Sequence, residues 1–122
     1  MASVTNLPGG TFPASGTIAA FTLVKINSSR QIAACAVDTN KDCIGVTQQA
    51  AVVNDQTPVR FLSAGTFKVK TDNSAIVVGT LLYKGASGKV SAASTGSTAI
   101  GYALDANGST DSTIIEVMPL QH

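Results

Sequence analysis

A single glutamate constrains this chain more than any other feature. Glu116 is the only Glu among 122 residues, while Val, Ile and Thr together number 34. Side chains branched at Cβ lose rotamer freedom in a helix and sit well on a pleated sheet. The helix-favouring residues Leu, Glu, Lys, Gln and Arg number only 21. The chain therefore reads as all-β. Its length fits one domain. With no Trp and 5% aromatic residues it can build only a light core.

Charge narrows the function classes. Eight basic and seven acidic residues leave a net charge of +1, and the charges are scattered singly. There is no basic stripe of the kind that tracks nucleic acid. There is no apolar run of membrane-spanning length. The first ten residues lack the basic head and apolar centre of a secretory signal. The expectation is a protein folded in a reducing cytosol, with no nucleic-acid or membrane partner. Cys35 and Cys43 are then packed thiols, although their spacing across a turn also allows a bond between paired strands.

Along the chain, residues 1–17 are rich in Gly, Pro, Ser and Thr, with Val4, Leu7 and Phe12 as isolated large apolar residues. Such a segment cannot bury itself and reads as an extended N-terminal arm. Residues 18–122 alternate strand-like runs with turn signals. About nine short strands at this spacing suit a small single-domain β-sandwich or barrel. In Thr66–Lys70, Phe67 and Val69 should face inward and the lysines outward. Asn107-Gly108 is the dipeptide of a tight hairpin turn.

The chain also resembles itself. Thr22-Leu23-Val24-Lys25 aligns with Thr80-Leu81-Leu82-Tyr83-Lys84, one residue out of register by its end, and Ile32-Ala33-Ala34 with Val90-Ser91-Ala92, both starting at an offset of 58. Ile44-Gly45-Val46 aligns with Ile100-Gly101-Tyr102, and Val59-Arg60-Phe61 with Ile115-Glu116-Val117, both at 56. This points to two similar halves, a pseudo-twofold domain. Gly45 and Gly101 would mark matching bends or close backbone approaches.

A catalytic set is hard to assemble. The one histidine is His122, the last residue, so no Ser–His or Cys–His nucleophile can be built. Every Asp lies in a loop or turn, where its side chain bonds nearby backbone. Asp38 to Asp42 imitates the start of a calcium loop, but Cys43 and Gln49 stand where Gly and Glu are needed. Gly85 to Lys89 imitates a phosphate loop, but Tyr83 replaces its first Gly and Val90 its Ser/Thr. No catalytic, cofactor-binding or metal-ligating residues are expected, and no cofactor.

The second half narrows the reading. Val77-Val78-Gly79-Thr80-Leu81-Leu82-Tyr83, Gly88-Lys89-Val90, Ala99-Ile100-Gly101-Tyr102-Ala103-Leu104 and Ile114-Ile115-Glu116-Val117 resemble the strand motifs of small bacteriophage capsid decoration proteins, also called cement or head-stabilising proteins. Cys43-Ile44-Gly45-Val46 fits the same layout more loosely, and Thr80 stands where the family usually has Asp. The resemblance implies a non-enzymatic virion protein, made in the bacterial host cytoplasm and placed on the outer capsid surface. It implies the major capsid protein as partner, and binding as a homotrimer that clamps neighbouring capsid subunits. The arm 1–17 could then lie on a capsid subunit, with Leu7 and Phe12 as candidate contacts. The other readings are a tail, baseplate or fibre module, or a carbohydrate-binding module. The last fits poorly, because its stacking aromatics would have to be Tyr83 and Tyr102.

Overall fold

The computed structural model describes residues 9–38, 42–62, 65–93 and 97–120. Twelve strands appear among them and no α-helix. They are β1 (Gly9–Pro13), β2 (Leu23–Ile26), β3 (Ile32–Ala34), β4 (Cys43–Thr47), β5 (Gln56–Phe61), β6 (Phe67–Lys70), β7 (Ala75–Ile76), β8 (Leu81–Lys84), β9 (Val90–Ser91), β10 (Ala99–Ala103), β11 (Asn107–Gly108) and β12 (Ile114–Pro119).

Two five-stranded antiparallel sheets share one topology. The first runs β1-β5-β4-β2-β3 and the second β6-β12-β10-β8-β9. Each curls until its two edges meet: parallel bridges join Ala14 to Ile32 in the first and Thr71 to Val90 in the second. The small β7–β11 pair repeats the bridge between Ile18 and Ala51. Turn bonds repeat as well. The Phe21 N–H bonds the Thr47 carbonyl at 2.8 Å, as Gly79 does Ala103 at 2.8 Å. Phe21 and Gly79 both carry positive φ.

Both glycines sit where the backbones crowd. Ile44 and Ile100 are the extra residues of matching bulges, and the following Gly45 and Gly101 lie against the neighbouring strand. A Cβ on Gly45 would stand 2.2 Å from the Arg60 carbonyl oxygen, and one on Gly101 2.2 Å from that of Met118. Those carbonyls are 58 residues apart, so β12 repeats β5 at 58 rather than at the 56 expected from sequence. A shift of two keeps every side chain on its face, so hydrophobic pattern alone cannot distinguish the two registers.

The core has two parts. Val24, Ile32 and Val59 fill the first half with Ala14, Ile18 and Ala51. The larger part joins Phe67, Val69, Leu82, Val90, Ile115 and Val117 of the second half to Leu23, Cys35 and Val46 of the first. The first half thus uses both faces of its sheet, and its outer face is laid against the second half. Backbone bonds along that seam include Lys70 N–H to the Phe21 carbonyl at 2.9 Å and Gly88 N–H to the Cys35 carbonyl at 2.9 Å.

Two expectations change. Asn107-Gly108 is no hairpin turn but strand β11. The buried Asn107 amide donates to Thr71 Oγ1 at 3.0 Å and to the Ser74 and Thr110 carbonyls at 3.1 Å each. It plugs a place that Ala51 fills in the first half. Within the segment 1–17, Gly9–Pro13 pairs along β5 as the edge strand of the chain's own first sheet. Main-chain bonds hold it there, which a pattern of side chains does not reveal.

Asp72 gives the second half an acid-sensitive corner. Burial opposes its charge, but bonds from the Ser74 and Ser91 hydroxyls and the Ser74 N–H outweigh that and hold its carboxyl below the usual range. A depressed carboxylate stabilises the fold above its ordinary pKa and loses that contribution as pH falls through the folded value. Thermal melts from pH 6 to pH 2 should show a smaller acid loss for Asp72→Asn than for the parent. Parallel curves would contradict this.

Candidate functional site

The chemically densest place in the molecule lies at the seam between the halves. Lys84 ends β8 on the inward face, two residues after the buried Leu82. Its side chain is 1% exposed. The ammonium is held by Asp38 Oδ1 and, at 3.1 Å, by Asp42 Oδ1. Burial works against the charge, yet the two carboxylates outweigh it and hold the ammonium above the usual lysine range. Backbone bonds brace the same spot: Lys84 N–H to the Thr98 carbonyl at 3.0 Å, and Thr98 N–H to the Asp38 carbonyl at 3.1 Å. The aspartates come from the β3–β4 connection of the first half and the lysine from the second. The cluster is a latch between halves. Lys25 of β2, one residue before the counterpart of Lys84, is half-exposed and lies 3.9 Å from Asp42.

Beside the latch, Cys35 Sγ, Cys43 Sγ and an Asp42 carboxylate oxygen lie within 4.8 Å of one another. Both cysteines are free thiols. A hydrogen bond with Cys43 and burial push the Cys35 thiol far up, so it is protonated at neutral pH. A cation here would need thiolates next to a carboxylate already engaged by Lys84. The arrangement suits packed thiols bordering an ion pair.

The two capsid-contact candidates fare differently. Leu7 lies outside the described residues. Phe12 is half-buried in β1, its ring 6.1 Å from that of Phe61 and tilted at 49°. It packs the rim of the first core. Lys84 and its aspartates were missed by sequence reasoning. The signal was there: alternation from Leu82 puts Lys84 on the buried face. Asp38 and Asp42 belong to the stretch that imitates a calcium loop, and their cation is this lysine.

The outer face of the second sheet presents an uncovered cross-strand row. Leu81 of β8 pairs with Tyr102 of β10, which pairs with Met118 of β12. Tyr102 is 43% exposed and Met118 45%. Nearby, Glu116 lies opposite Lys68, and its carboxylate accepts from Thr66 Oγ1 at 2.8 Å. This face thus mixes exposed apolar side chains with the charges of Glu116, Lys68 and Lys70.

The comparisons with known proteins show the family and, separately, the fold. A family model described as phage cement protein matches residues 8–118, which takes in both halves and every strand but the end of β12. The chain belongs to the phage cement protein family. It is a phage structural protein associated with the capsid. Among solved structures, it is similar to the N base of head fiber gp8.5 of bacteriophage phi29. That match has a TM-score of 0.69 at 20% identity and covers 93% of this chain and 98% of the other. At that identity the likeness speaks for the fold. No curated protein matches the chain. The cement-family membership bears out the resemblance carried by the motifs around Tyr83 and Ile100 to Leu104.

Proposed function

We propose that this cement protein binds the outer surface of a phage head as a homotrimer and clamps neighbouring major capsid subunits against internal pressure. The observation that carries the reading is the family match across residues 8–118. The physics supports it. Three linked copies turn a modest contact into firm holding through effective concentration. A net charge of +1 lets the protein approach its neighbours without the desolvation of many ions. The stapled halves give a rigid block through which load can pass. Purified protein added to heads lacking it should bind and raise the temperature at which they release DNA. Heads that neither retain it nor gain heat resistance would defeat the reading.

In this reading residues 1–8, which lead into the edge strand β1, act as the arm, and Leu7 anchors it on a capsid subunit. Phe12 serves the arm indirectly by fixing β1 on the first core. Removing residues 2–8 should leave the melting temperature within about 2 °C, since β1 stays intact, and lower head occupancy several-fold. Undiminished occupancy would remove the arm from the account. Removing residues 2–14 would instead strip β1 and the buried Ala14 and unfold the first sheet.

A second reading is favoured by the fold shared with the head-fiber base: the domain would be a foot that fixes a projecting appendage to the head. Microscopy of decorated heads separates the two by the presence of a projection.

A further inference from the structure

We propose that Asn107-Gly108 is a fold-gated modification site: its amide is inert while β11 pairs with β7, deamidates to aspartate or isoaspartate when that corner opens, and then keeps the second half from closing again. This chemistry is independent of the capsid reading.

The reactivity belongs to the dipeptide. Asn107-Gly108 is the one Asn-Gly pair in the chain. The Gly108 main-chain nitrogen, having given its proton to solvent base, can attack Asn107 Cγ. A bond forms between them, the Cγ–Nδ2 bond breaks, and the nitrogen leaves as ammonia with a proton from water. Water then opens the five-membered imide at either carbonyl. One opening gives aspartate. The other gives isoaspartate, whose backbone is longer by one carbon. Glycine favours the attack because it has no Cβ to crowd the ring and the most freedom to turn back.

The fold blocks each part of that step. Asn107 is 5% exposed. Its Nδ2 donates to Thr71 Oγ1 and to the Ser74, Thr110 and Asp72 carbonyls, the last at 3.4 Å. Its Oδ1 accepts from the Thr110 N–H at 3.2 Å. The nitrogen that must leave is thus held by four acceptors. Asn107 and Gly108 pair with Ile76 and Ala75 in the β7–β11 ladder. Closing the ring swings the Gly108 nitrogen onto the side chain and out of that pairing. Local opening of the corner therefore sets the rate.

The same cradle rejects the product. An amide nitrogen donates two hydrogens, whereas a carboxylate only accepts. Aspartate at position 107 would set a buried negative charge against three carbonyl oxygens, which is costly. Isoaspartate would add a carbon to β11 and break its register with β7. The first half carries no such gate, because Ala51 fills the matching place.

The test uses the full chain with Gly108→Ala as its partner. Gly108 is exposed and a Cβ there meets nothing within 4 Å. The variant's melting temperature should therefore stay within about 2 °C of the parent, while its methyl hinders ring closure. Both proteins are incubated at pH 8, folded in buffer and unfolded in urea, and position 107 is read by peptide mass mapping. The parent should convert in urea, and at least about tenfold more slowly when folded. The variant should convert far less in urea than the parent. Once urea is removed, the parent's yield of native protein should fall in step with the converted fraction, and the native protein recovered should carry only the amide. The variant should refold throughout. Folded parent converting as fast as unfolded parent would overturn the gate. Native protein recovered with aspartate or isoaspartate at position 107 would overturn the block on refolding. An unfolded parent that keeps its amide would overturn the site itself.

Discussion

Gly101→Ala is expected to destabilise the protein by about 3 kcal/mol or more. The added methyl would sit 2.2 Å from the Met118 carbonyl oxygen. That neighbour is backbone in the adjoining strand and has no rotamer to escape into. The β10–β12 pairing must open where the Leu81–Tyr102–Met118 row is assembled. For a domain of this size the melting temperature should fall by about 10 °C or more. Gly45→Ala should behave alike, because the Arg60 carbonyl stands at the same 2.2 Å. Gly16→Ala, which meets nothing within 4 Å, should stay within about 1 kcal/mol. Equal effects at Gly16 and Gly101 would refute the close-approach account.

Lys84→Met should cost about 3–5 kcal/mol, the loss typical of removing one partner of a buried ion pair. Asp38 and Asp42 would lose the ammonium that both carboxylates bond at the seam. Lys25→Met is the informative control. It approaches the same Asp42 from the first half, is half-exposed and reaches it only at 3.9 Å, so less than about 1 kcal/mol is expected. Combining Lys84→Met with Asp38→Asn and Asp42→Asn should recover part of the loss, since the two neighbouring negative charges are then gone. Chemical denaturation of the four proteins reads this directly. Indistinguishable losses for Lys84→Met and Lys25→Met would show that burial does not set the latch.

The latch also shows where reading the sequence succeeds and stops. The all-β fold was legible because β-branched residues and one glutamate leave few helical options. The duplication was legible from four short motifs, and its glycines pointed at the crowded crossings. The offset of the last strand was not, because a two-residue slip preserves the face of every side chain. Asn107-Gly108 carried a strong local turn signal, but buried partners around the Asn107 amide outweighed it. Strand β1 has no alternating pattern to read, and its place depends on main-chain pairing with β5. The open row of the second sheet was the least visible. Leu81, Tyr102 and Met118 are ordinary strand residues, and only comparison with the covered row of the first half sets them apart.

Cryo-electron microscopy of heads lacking this protein, before and after its addition, tests the central claim most directly. The account predicts new density on the outer surface, in groups of three, each touching more than one major capsid subunit. Density confined to the tail or to single subunits, or none at all, would contradict it.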